Sequence, residues 1–344
     1  LGPRRRFRSS VTQRSSETFA VAESVELAVL TRSGFVESRH SGSAIVLDGA
    51  SGDVITTLGN PNAAVFPRSA MKPFQAVAML TSGAPLADEF VALSTASHTG
   101  SAEHVRLVHS LLEKHGLTED QLACPVDLPT DRDMVTELTR EFGGAERRYM
   151  NCSGKHAAML VTCSVNGWPL TGYLDPSHPL QQVILDTVED FIGEPVAANG
   201  IDGCGAPVYA MSLAALAKGI RRVGIARHDA PDARDRAAAV LREAVIAHPY
   251  VTGGAGEHDT AIVSELSIFA KRGAEGVMVT SAHDGTTVAL KVLDGNLRAA
   301  GLVAVRLLEN VGAVDSQDAV RVHERFHTTV LGGGKPVGEL RATV

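Results

Sequence analysis

Gly276-Val277-Met278-Val279-Thr280 and Thr286-Thr287-Val288-Ala289-Leu290-Lys291-Val292-Leu293 flank an Asp284-Gly285 pair. Runs rich in β-branched residues on either side of Asp-Gly predict a hairpin, because glycine supplies the positive φ that a tight turn needs. The N-terminal part carries matching material. Residues 25–31 have strand composition and end at Ser33-Gly34, and 43–47 joins 54–58 through Asp48-Gly49-Ala50-Ser51-Gly52. After Pro67 the apolar period changes to that of a helix, with Met71, Phe74, Ala78 and Met79 near one face. Further helices are predicted over 104–115, 156–166, 180–192, 206–218 and 234–247, and over 297–309 after the Asp294-Gly295-Asn296 turn. Strands at both ends and helices between them predict an α+β fold: the ends pair in one antiparallel sheet and the middle packs as a helix-rich lobe. The expected division is a disordered tail, 1–24, and a single domain, 25–344, with a sheet lobe of 25–66 and 259–344 and a helical lobe of 67–258.

Composition narrows the function classes. Of 344 residues, 44% are hydrophobic and 21% charged, an ordinary globular balance that excludes global disorder. A net charge of -7 argues against a nucleic-acid partner, which needs a concentrated basic surface. The basic cluster Arg4-Arg5-Arg6 with Arg8 falls in the polar tail, and no apolar region follows it as a secretory signal would require. No apolar run is long enough to span a bilayer. Four cysteines do not make a disulfide scaffold in a chain this size. The expectation is a cytoplasmic protein with no nucleic-acid or membrane partner.

Arg68-Ser69-Ala70-Met71-Lys72-Pro73 contains the S-x-x-K spacing. On a helix, residues three apart share a face, which sets the lysine amine beside the serine hydroxyl. Serine is a poor nucleophile until a base takes its proton, and a desolvated lysine can do so. The same spacing also fits an ordinary solvent-facing Ser and Lys on an amphipathic helix. A second polar run, Ser94-Thr95-Ala96-Ser97-His98-Thr99-Gly100-Ser101, suits a loop that carries Ser97 and His98 into a cleft; its plainer reading is a helix start capped by Ser101.

Asn151-Cys152-Ser153-Gly154-Lys155-His156 and Asp202-Gly203-Cys204-Gly205-Ala206-Pro207 are the most unusual stretches. Each sets a thiol in a glycine-bearing loop just before a predicted helix, where a thiolate is stabilised, so Cys152 and Cys204 are candidate metal ligands. Two thiolates do not close a tetrahedral site; a neutral Lys155 or His156 would add a ligand, and a lysine ligand must first lose its proton. The pair could equally be redox-active, or small buried apolar residues, the reading adopted for Cys124 and Cys163. Asp202 is placed to orient a ligand or meet a substrate ammonium, or else is a turn residue before glycine.

Taken together, Arg39-His40-Ser41-Gly42, Arg68-Ser69-Ala70-Met71-Lys72-Pro73-Phe74-Gln75, Ser97-His98-Thr99-Gly100, Asn151 to His156, Asp202 to Pro207 and Lys271-Arg272-Gly273-Ala274-Glu275-Gly276 resemble the bacterial L-asparaginase II family of Rhizobium type. The resemblance implies a serine β-lactamase/glutaminase-like fold, hydrolysis of L-asparagine to aspartate and ammonia, and a homodimer. It implies two Ser-Lys pairs, Ser69 with Lys72 and Ser97 with Lys271, and a zinc site at Cys152, Lys155 and Cys204. Arg68, His98, Asp202 and His156 complete the candidate set as substrate-binding positions. One segment departs from the pattern: Gly253-Gly254-Ala255-Gly256-Glu257 has glutamate where the family pattern has arginine, which removes a cation from the expected cleft. Two rivals follow. A penicillin-recognising serine hydrolase shares S-x-x-K, but its Ser-Asp-Asn and Lys-Thr-Gly elements are missing here. A catalytically altered metal- or amino-acid-binding homologue would fit the glutamate.

Overall fold

The computed structural model describes residues 17–344. The Arg4-Arg5-Arg6 cluster lies outside them. Within the span expected as tail, Phe19 is buried and Val21–Glu23 forms a short helical turn.

Among the described residues eleven strands are formed: β1 (Val25–Arg32), β2 (Phe35–Leu47), β3 (Val54–Leu58), β4 (Ala64–Val65), β5 (Ala198–Ile201), β6 (Pro207–Ser212), β7 (Phe269–Gly273), β8 (Val277–Ser281), β9 (Thr287–Val292), β10 (Thr329–Gly332) and β11 (Lys335–Ala342). The main sheet runs β10-β11-β1-β2-β9-β8-β7, with β3 also paired to β2, and a small sheet runs β4-β6-β5. The α-helices are α1 (Lys72–Thr81), α2 (Glu89–Ser94), α3 (Ala102–Lys114), α4 (Arg132–Arg140), α5 (Ser153–Val165), α6 (Pro179–Ile192), α7 (Leu213–Gly224), α8 (Ala233–Ala247), α9 (Pro249–Thr252), α10 (His258–Leu266), α11 (Ala300–Asn310) and α12 (Ser316–Arg325).

The two ends of the chain meet in this sheet as expected, through β1–β11 and β2–β9 pairs, all antiparallel. β2 is its spine. Its first half alternates exposed and covered residues, while Ser43–Leu47 is buried at every position, as is the whole of β9. A strand buried on both faces needs cover on both, and α7 and α11 both pack on β9. Gly42 stands where β2 passes from one regime to the other. A Cβ there would lie 2.2 Å from the Lys291 carbonyl oxygen and 2.7 Å from Leu27. Gly42→Ala is therefore expected to destabilise the fold by about 2 kcal/mol or more, read from the midpoint of denaturant unfolding.

The span predicted as one helix over 206–218 is two elements, β6 followed by α7. Val208 and Tyr209 pair across to β5, and the Ser212 side chain accepts the Ala215 N–H, starting the helix only at Leu213. Pairing with a neighbouring strand and a serine cap outweigh the alanine-rich helix propensity of the run.

Candidate active site

Ser69 and Lys72 are joined by a tight turn rather than by a regular helix. Arg68 takes a left-handed backbone, φ 52°, and Arg68–Met71 is a tight 3-10 turn, with Lys72 opening α1. Pro73 sits in the first turn of α1, where its missing N–H would be unpaired in any case. Lys72 is fully buried, and its ammonium donates to Ser97 Oγ at 2.9 Å and to the Ala96 carbonyl. The Ser69 hydroxyl makes no hydrogen bond among the described residues and faces a cleft of about 310 Å³.

Ser97 is the meeting point. Lys271, from β7, donates to the same hydroxyl at 3.1 Å, so one serine oxygen bridges two buried lysines. The serine is held on its backbone as well: Ser97 N–H donates to the Thr252 carbonyl at 2.9 Å, His98 N–H to Asn151 at 3.0 Å and Thr99 N–H to Gly253 at 2.8 Å. Gly254, at φ 114°, lets this loop press on Thr99, since a Cβ would fall 2.3 Å from the Thr99 hydroxyl. Lys271 also pairs with Asp259 at 3.3 Å. Lys72 has no carboxylate partner among the described residues, and burial pushes its pKa down to about 8, with the Lys271 and Lys155 charges adding to the fall and the Cys152 sulfur opposing it.

The cleft is lined by Ser69, Ser97, His98, Asp127, Tyr149, Asn151, Glu257 and Arg272 among others. Glu257 does not leave this wall without a cation. Arg272, beside Lys271 on β7, ion-pairs with Glu257 and donates to the Ser97 carbonyl at 2.7 Å. His98 is buried and kept neutral by desolvation; it hydrogen-bonds Ser153 at 3.0 Å and stacks on His104. Arg68 Nε meets Asp202 at 2.7 Å. Glu257, Asp259 and Arg272 were not singled out as site residues on chemical grounds, because a lone acid near a helix start and an arginine in a strand are common patterns. The one available signal was the departure of Glu257 from the family pattern.

Cys152, Lys155 and Cys204 come together, buried, and none of them lines the cleft. Lys155 donates to the Cys204 sulfur at 3.1 Å. The Cys152 thiol lowers the pKa of Cys204 by hydrogen bonding, helped by the Lys155 ammonium, while that contact and burial raise Cys152. Burial alone would lower Lys155; the two sulfurs and Asp202 more than offset it, so the amine is held protonated beside a thiolate. Only Cys152 stands at a helix start. Cys204 lies in the hairpin turn between β5 and β6, and its sulfur meets Lys155 in the first turn of α5. No three His, Cys, Asp or Glu among the described residues converge on a metal position. The two sulfurs suit a soft or borderline divalent ion, and Lys155 could join them as a third donor only by giving up its proton. His156 Nε2, buried without a hydrogen-bond partner, lies beside Cys204, and its Nδ1 is taken by Tyr173 at 2.7 Å.

Residues 28–342 match the L-asparaginase II family, and the chain belongs to that family. The family match supports a hydrolase acting on amides. No curated protein matches the chain. Among solved structures, Mglu in its native form is 12% identical over 78% of this chain, with a TM-score of 0.43; the match spans 64% of the Mglu chain, less than two thirds of its length. Bacillus glutaminase in 4.3 M NaCl is 11% identical over 78% of this chain and 89% of its own, TM-score 0.43. A beta-lactamase from Mycobacterium bovis is 11% identical over 78% and 94%, TM-score 0.37. At such scores neither glutaminase nor β-lactamase chemistry transfers to this chain. No helix among the described residues is long and apolar enough to cross a membrane.

Proposed function

We propose that this protein hydrolyses the side-chain amide of L-asparagine to aspartate and ammonia through a lysine-activated serine. The observation that carries the reading is the Ser97 hydroxyl bridging Lys72 and Lys271 on the wall of a cleft onto which the unpaired Ser69 hydroxyl also opens. Ser69 attacks the amide carbon and its proton passes to the Lys72 amine. The C–N bond then breaks, the nitrogen takes a proton and leaves as ammonia, and an aspartyl ester remains on Ser69. Water adds to the ester, aspartate leaves and the serine is restored. Ser97 and Lys271 form the relay that returns the proton. Arg68, His98, Asp202 and His156 are proposed to orient the substrate, Asp202 by receiving its ammonium.

Zinc at Cys152, Lys155 and Cys204 belongs to the same proposal; bound there, it would hold the α-amino or α-carboxylate group of the substrate. Zinc added to metal-free protein is expected to raise the melting temperature by a few degrees, as binding to the folded state alone requires, and Cys204→Ala is expected to lose that rise. A wild-type chain with no rise under saturating zinc removes the metal from the account. A homodimer in the cytoplasm completes the reading, and light scattering checks the first part.

Incubation with asparagine, glutamine and a chromogenic β-lactam, followed by ammonia release and ring opening, tests the function. Ammonia from asparagine is the expected result. Ring opening without ammonia would favour a penicillin-recognising hydrolase, and asparagine binding without ammonia would mark a catalytically altered homologue.

A further inference from the structure

Asp259 has no exposed surface. Burying a carboxylate is unfavourable unless it is paired and hydrogen-bonded, so its partners show what it is for. Its Oδ2 accepts from the Lys271 ammonium at 3.3 Å and the Arg272 backbone N–H at 3.2 Å, and its Oδ1 from the Arg272 guanidinium at 3.4 Å and the Thr260 N–H at 3.2 Å. Lys271 and Arg272 are neighbours on β7, and a strand sends successive side chains to opposite faces. Here both end on Ser97, Lys271 at its hydroxyl and Arg272 at its carbonyl. Asp259 grips the two at once, and Glu257, on the cleft wall, pairs with the same guanidinium nitrogen, Nη1, that Asp259 holds.

We infer that Asp259 is a positioning residue that clamps Lys271 and Arg272 onto Ser97, fixing the serine hydroxyl between the two lysines. The inference rests on the serine-lysine reading above, and extends it to a residue that touches neither substrate nor the attacking oxygen. Glu257 thus anchors the clamp.

Asp259→Asn keeps the shape and removes the charge. Expected is a fall in kcat for asparagine of about 100-fold, the usual consequence of displacing a reacting group by about 1 Å, with KM changed by less than about threefold. Asp259→Glu restores the charge on a longer arm and is expected to recover part of the loss. The labelling rate of the active serines by a fluorophosphonate probe, measured on the folded fraction, is expected to fall in parallel. A folded Asp259→Asn variant whose kcat and labelling rate stay within about twofold of wild type overturns the inference, as does a lowered melting temperature with labelling unchanged. If that variant does not fold, Arg272→Gln keeps the Lys271–Asp259 pair and removes the guanidinium's grip on the Ser97 carbonyl together with its pairing to Asp259 and Glu257; about a tenfold loss of kcat is expected, and an unchanged kcat overturns the clamp. A wild-type chain that takes the label but releases no ammonia from any amide ends the asparaginase reading, and the labelling rates then decide the inference alone.

Discussion

Ser69→Ala is expected to lower kcat for asparagine hydrolysis by about 10⁴-fold or more, the scale on which loss of a covalent nucleophile registers, while the protein stays folded. The stability half of this expectation follows from what Ser69 does not do. Its hydroxyl accepts and donates no hydrogen bond among the described residues and faces the cleft, so removing it strands no partner and should shift stability by less than about 0.5 kcal/mol. Ser97→Ala is a different experiment. It takes the acceptor from two buried ammonium groups, Lys72 and Lys271, and each stranded donor costs about 1–3 kcal/mol. Loss of activity in Ser97→Ala is therefore ambiguous between chemistry and folding, and loss in Ser69→Ala is not. Near-normal turnover by a folded Ser69→Ala variant would reject this serine as the nucleophile and leave Ser97, with both lysines already on it, as the attacking group.

Lys72→Met is expected to abolish activity, by about 10³-fold or more, and yet leave the protein no less stable at pH 7. Burial lowers the Lys72 pKa from 10.5 to about 8. A lysine with a depressed folded-state pKa binds fewer protons folded than unfolded between those two values, so stability rises with pH across that window. Below about pH 8 the penalty of the buried charge is present in full, on the order of 3 kcal/mol. Methionine fills a similar volume without the charge. The lost hydrogen bonds to Ser97 and the Ala96 carbonyl offset about 1 kcal/mol each, so a small net gain remains. The same pKa sets the sign of the wild-type pH profile: kcat/KM is expected to climb as pH rises through about 8, where Lys72 loses its proton and becomes a base. A flat profile there, or an active Lys72→Met, would count against Lys72 as the base.

The architecture was legible wherever turn chemistry and burial pointed the same way. Asp284-Gly285 marked the β8–β9 hairpin and Pro67 the change to helix, and joining strands from the two ends into one sheet needed only those elements. The edge strand β10 and its neighbour β11 were not read from the sequence. The Gly332-Gly333-Gly334 turn and Pro336 weaken the local strand pattern, and the pairing of β11 with β1 brings together residues from opposite ends of the chain. At the site, residue types were visible but their pairing was not. Ser69 and Lys72 share a motif, yet the Lys72 ammonium donates to Ser97, a residue far along the chain, and no spacing rule anticipates that. Asp259 was invisible for a related reason: its importance comes from complete burial, which a single acid in a helix's first turn does not announce.

A serine ester is the intermediate on which the proposed reaction depends. Wild-type protein mixed with asparagine, quenched in acid within its first turnovers and mapped by peptide mass spectrometry is predicted to carry an aspartyl adduct on the peptide holding Ser69, and to lose it in Ser69→Ala. Ammonia released at full rate with no adduct on Ser69 or Ser97 would contradict it, and would move the chemistry to a water attacking the amide directly.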